Sequence, residues 1–98
     1  MQAETRFKMR VVTKLKTLPS VHVIKIQQVA KRGDPDIIMC VAGRFVAWEL
    51  KVNKNKATPL QKHQLDLITK AGGLAFVVTP DNLDEQFQLL NGFVLSLQ

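Results

Sequence analysis

Cysteine is almost missing from this 98-residue chain. Cys40 is the only one, so no disulfide can form within the chain. Its place inside an apolar run predicts a buried, unreactive thiol. No apolar run approaches the ~18 residues needed to span a bilayer, so no membrane segment is expected. The first residues alternate charges with single apolar side chains, which does not read as a secretory signal, and the expected compartment is the cytoplasm. His22 and His63 stand apart, so no His/Cys cluster argues for zinc. Repeats, low-complexity tracts and linkers are also lacking. What remains is one domain, long enough to bury roughly 60–65% of its unfolded surface in a modest core.

Lysine and arginine are absent from residues 71–98, which hold Asp81, Asp84 and Glu85 and carry −3. All 14 basic residues lie in residues 1–70, against five acids there, giving that segment +9. The basic part is the natural candidate for a polyanion partner, the plain alternative being a well-solvated surface.

Apolar residues at Phe7, Val11, Val12, Leu15 and Leu18 have helical spacing and predict a helix from about Ala3 to Leu18, ended by Pro19. Val21–Val29 reads as a strand broken by Lys31-Arg32-Gly33. Asp36–Val41 and Arg44–Val52 read as two strands joined by a short turn at Ala42-Gly43. Thr58-Pro59-Leu60-Gln61 has the form of a helix start, with Thr58 as cap and Gln61 at the capping-box position, and Gly72-Gly73 is its stop. Leu74–Val78 is a short strand, Asp81–Leu90 a further helix, and Phe93–Leu97 a candidate last edge strand. The order α-β-β-β-α-β-α predicts an α/β fold, a mixed sheet flanked by helices.

Within that hairpin the charges fall in an unusual place. A tight turn centred between Ala42 and Gly43 pairs residues whose numbers sum to 85, which sets Asp36 opposite Glu49. Opposed side chains have Cβ atoms about 4.5–5.5 Å apart, and like charges at that distance destabilise a hairpin unless a cation lies between them. Two carboxylates with water form a hard oxygen site, suited to Mg²⁺ or Mn²⁺. Lys51 shares the strand face of Glu49, where an ammonium can orient or deprotonate a water and stabilise charge on a phosphate. The bland alternative is a salt bridge between Lys51 and one acid. Glu4 shares a helical stripe with Phe7, Val11, Leu15 and Leu18; it can reach the cleft as a further ligand or simply favour the helix N-terminus. Gln61 is equally open, since capping needs no further role. Asp34 pairs with Lys51 in the same register and reads as a turn residue, the alternative being a support behind the acids. Trp48 and the phenylalanines have core spacing, not that of a base-stacking platform. Lys54, Lys56 and Lys62 flank the acids, with Lys31 and Arg32 before them, and are the candidate contacts to a phosphate backbone.

Pro35-Asp36 followed by Glu49-Leu50-Lys51 resembles the spaced pattern of the PD-(D/E)XK nucleases. The ordered set Glu4, Gly33-Asp34-Pro35-Asp36, Glu49-Leu50-Lys51 and Gln61 resembles more closely the virus-type replication-repair nuclease domain, over residues 3 to 73. Asp34 departs from the apolar residue such domains often carry before the proline. The resemblance implies a restriction-endonuclease-like fold and Mg²⁺- or Mn²⁺-dependent hydrolysis of DNA phosphodiester bonds in a bacterial or phage-infected cell. It implies that Asp36 and Glu49 hold the ion with the Leu50 carbonyl, that Lys51 acts on the water, and that Glu4 and Gln61 complete the site. Standalone members are associated with homodimers that cut four-way junctions, so a branched DNA substrate and a dimer are expected. The rival reading is a non-catalytic DNA-binding or phage structural protein with the same fold.

Overall fold

In a computed structural model, which describes residues 2–26 and 33–97, Phe7, Val11, Val12 and Leu15 form the buried stripe of α1 (Ala3–Leu15). The helix stops three residues short of the expected Leu18. There the Thr17 hydroxyl donates to the Lys14 carbonyl at 2.7 Å, and Pro19 follows. Three antiparallel strands come next: β1 (Val21–Lys25), β2 (Ile37–Val41) and β3 (Arg44–Leu50). The part of the first expected strand beyond Ile26, with Lys31 and Arg32, lies outside the described residues. Then α2 (Pro59–Lys70) crosses to β4 (Leu74–Val78), which pairs parallel with β3, and α3 (Leu83–Leu95) closes the chain. The result is one mixed sheet in the order β1-β2-β3-β4, flanked by helices.

The register of β2 and β3 is set by their turn. Ala42 (φ 52°) and Gly43 (φ 84°) both adopt left-handed backbone, the conformation of a two-residue type I′ hairpin, whose twist matches that of the flanking strands. Val41 pairs with Arg44 and Ile37 with Trp48, as the summed numbering requires. Alternation then puts Ile37, Met39 and Val41 on one face with Val46, Trp48 and Leu50, all buried against α1 and α3. Burying a side chain such as Ile37 or Val46 completely contributes about 1.5–3 kcal/mol. Lys14 ties α1 to α3, with its ammonium 3.8 Å from Asp84 and 4.5 Å from the Phe87 ring centre. Arg44 lies 4.5 Å over Phe93.

Two expectations need correction. Cys40 is exposed, because it alternates away from the core and α2 covers β3 and β4 on the far side of the sheet. It borders a small apolar hollow with Ile24, Ile38 and Phe45. Phe93–Leu97 is not a strand: the stripe Leu83, Leu90 and Val94 keeps helical period, so α3 runs through to Leu95. No helix among the described residues is long and apolar enough to cross a membrane.

Candidate active site

The site is built where β2 begins and β3 ends. Gly33 (φ 70°) turns the chain toward Pro35 and Asp36 and lies against the start of α2. A Cβ there would come 2.6 Å from the Leu60 Cγ and 3.0 Å from the Leu60 backbone, so only glycine fits. Asp36 follows, its carbonyl accepting from the Ile26 N–H at 2.9 Å and its Oδ2 accepting from the Leu50 N–H at 2.8 Å. The second bond fixes the carboxylate against the end of β3, one residue past Glu49. Nothing in the residue pattern announced this tie, since a backbone N–H is the same in every residue but proline.

Glu49 is 2% exposed, the only charged residue in the buried set among the described residues. Burial pushes its carboxyl from 4.5 up to about 8, and the adjoining Asp36 carboxylate adds to the rise through a hydrogen bond and repulsion. Lys51 and Lys8 oppose it with their positive charge. The Lys51 Nζ lies 3.8 Å from Glu49 Oε2, and Glu49 Oε1 is buried with no partner. A buried acid with an orphaned oxygen and a retained proton, beside the part-buried carboxylate of Asp36, is a place short of positive charge. That fits a divalent ion with oxygen ligands.

Beside Asp36 and Leu50 a cleft of about 340 Å³ opens under α1, lined also by Glu4, Thr5 and Lys8. Glu4 thus borders the same cleft as Asp36, with its own side chain exposed. Among the described residues no three of His, Cys, Asp and Glu gather closely enough to hold an ion, so the acid pair stands without a third carboxylate. Gln61 is used in the capping box: its Oε1 accepts from the Thr58 N–H at 2.8 Å, and its own N–H donates to Thr58 Oγ1 at 3.2 Å. Lys51 and Lys54 border a second hollow with Thr79 and Asp81, which shares Val52 with the cleft. Asn53 and Lys54, both at positive φ, make the sharp turn behind Lys51. Lys56 and Lys62 are exposed on the loop and on α2. Lys31 and Arg32 lie outside the described residues. Lys8 was missed in the sequence. Its one signal is that it stands a helical turn after Glu4, on the polar edge of α1.

No family model and no curated protein matches the chain. Solved structures do. A VRR_NUC domain superimposes with a TM-score of 0.76 at 22% identity, over 90% of this chain and 97% of that one. A VRR_NUC domain protein gives 0.72 at 20% identity, over 95% and 88%. Hjc of Archaeoglobus fulgidus, a Holliday junction resolvase, gives 0.58 at 22% identity, over 76% of this chain and 66% of that one. This chain therefore has the fold of the VRR_NUC domains, a mixed four-stranded sheet flanked by helices in the order α-β-β-β-α-β-α.

Proposed function

We propose that the chain is a structure-selective DNA endonuclease that hydrolyses phosphodiester bonds with Mg²⁺ or Mn²⁺. The observation that carries this reading is the buried Glu49 carboxyl, with its orphaned Oε1 and its proton held up to about pH 8, set between the part-buried Asp36 carboxylate and Lys51. Asp36, Glu49 and the Leu50 carbonyl would hold the ion, with Glu4 at the mouth of the same cleft. A divalent ion there supplies Lewis-acid activation and neutralises charge on the phosphate.

The chain's own groups do the rest. The Leu50 N–H holds Asp36 in one orientation, so the donor set is arranged before substrate arrives. To hold the ion Glu49 would have to give up its proton, since a ligating carboxylate must be ionised. Lys51, half-buried and close to Glu49, orients the attacking water and stabilises the growing charge on the phosphate oxygens. Gln61 fixes the start of α2 against Gly33 and so supports the turn that presents Asp36.

The fold shared with Hjc, which resolves Holliday junctions, favours a branched substrate, and a homodimer would offer two sites to a twofold four-way junction. Incubating the native chain with junction, flap, single-stranded and duplex DNA in Mg²⁺ or Mn²⁺ tests the proposal. Cutting of the junction ahead of duplex is expected. A chain that binds DNA but cuts none of the four is the non-catalytic DNA-binding protein instead.

A further inference from the structure

Beyond the acid pair, α1 borders a second depression, a groove of about 410 Å³ between the helix and β1. Three lysines line it, Lys8, Lys16 and Lys25, with the hydroxyls of Thr5 and Thr13 and an apolar floor at Val12. No carboxylate is among the described residues that line it. Lys16 and Lys25 are exposed and make no salt bridge among the described residues. The groove is continuous with the cleft of the acids, because Thr5 and Lys8 border both. Ammonium groups with hydroxyl donors, set along a line and free of acids, match phosphate oxygens, and an apolar floor suits the sugar between phosphates. At a rise of about 1.5 Å per residue, Lys16 stands about 12 Å further along the helix than Lys8. That spacing extends the track past the acids by more than one phosphate.

We infer that the α1–β1 groove binds the sugar–phosphate backbone of the DNA strand whose scissile phosphate sits at Asp36 and Glu49. Lys8 spans the junction of cleft and groove, and Lys16 and Lys25 hold phosphates further along the strand. This rests on the nuclease reading and assigns it a substrate track on the α1 side, distinct from the hollow of Lys51 and Lys54.

The test is a salt titration of binding, by anisotropy of a labelled four-way junction without divalent ion. Native chain is compared with Lys16→Ala/Lys25→Ala and with Lys70→Ala, whose lysine pairs with Asp66 on α2. Between about 50 and about 200 mM salt, the double variant is expected to lose about two from the slope of log K against log salt, roughly one per phosphate contact. Its affinity should fall about 10-fold or more, and Lys16→Arg/Lys25→Arg should recover most of it. The single-turnover cutting rate at saturating DNA should stay within about twofold of native, because neither lysine touches the acids. Lys70→Ala should leave the slope within about half a unit of native. A double variant with native slope and affinity, in a native chain that still binds and cuts DNA, overturns the groove and leaves the nuclease reading intact. Loss of binding to phosphatidylserine vesicles with unchanged DNA affinity overturns it in favour of a lipid surface. A native chain that neither binds nor cuts DNA overturns both.

Discussion

Glu49 is held in the folded chain as a buried acid that keeps its proton to about pH 8, chiefly through burial and then through Asp36. Without metal, the folded state therefore binds more protons than the unfolded state between pH 4.5 and about 8. Stability must fall as pH rises across that window, by an upper bound on the order of 5 kcal/mol. Glu49→Gln is expected to flatten this dependence and to raise the melting temperature of the metal-free protein at pH 8. An unchanged pH profile in thermal melts would refute the assignment. The same variant should abolish the proton release that accompanies Mn²⁺ binding in the native chain, read by calorimetry in two buffers. Lys51→Ala is expected to slow cutting at least about 100-fold while junction affinity stays within a few-fold. Equal rates would remove Lys51 from the chemistry. At this scale the sequence was readable where the covalent numbering decided the outcome. A two-residue turn permits one pairing, and the ladder follows it from Val41 and Arg44 as far as Ile37 and Trp48, next to Asp36 and Glu49. Lys8 was not readable, because a polar position on a helix is a wall of a cleft only once a sheet lies beside it. Cys40 misled for a related reason: its apolar neighbours lie on both faces of a strand, and which face a helix covers is settled by packing elsewhere.

Among the elements, the hairpin and the turn before it carry strain at two points. Ala42 adopts left-handed backbone, which costs an L-residue with a Cβ about 1–2 kcal/mol. Asparagine tolerates that conformation and is favoured before glycine in this turn. Ala42→Asn is expected to stabilise the chain by about 1 kcal/mol in urea melts without altering cutting; a loss of stability would contradict the turn geometry. Gly33 is the opposite case. Alanine there would face both the left-handed penalty and a clash with Leu60, so Gly33→Ala is expected to cost about 2–4 kcal/mol and to slow cutting by displacing Asp36. A melt within error of native would count against that contact. Most elements were legible because each had a local signal: Thr58 and Gln61 for α2, Pro19 after α1, Ala42-Gly43 between β2 and β3. The end of α3 was not. Phe93–Leu97 is apolar at nearly every position and has no periodicity of its own, and it became helical because Val94 continues the stripe of Leu83 and Leu90 into the core.

For the whole molecule, the charge asymmetry of the sequence becomes spatial. The three acids of residues 81–85 lie in the turn before α3 and in its first turn, and Lys14 is already engaged by Asp84 and Phe87. Lys8 of α1 and Lys16 just past its end are left to the cleft and the groove beside it. Light scattering of the native chain is expected to give twice the 11.0 kDa chain mass; a monomer that still cuts four-way junctions would remove the twofold argument. The hairpin also has a consequence in time. Strands β2 and β3 are neighbours in sequence, whereas the β3–β4 pairing must wait for α2 to cross over, so the hairpin is the cheaper contact to close. The repulsion between Asp36 and Glu49 is then met early in folding, before most of the core exists to offset it. Removing that repulsion, by Glu49→Gln or by a divalent ion, is expected to quicken refolding more than it slows unfolding. In stopped-flow chevrons at pH 8 the refolding limb should rise and the unfolding limb stay nearly fixed. The acids that make the site would thus also govern how fast the chain reaches its native form.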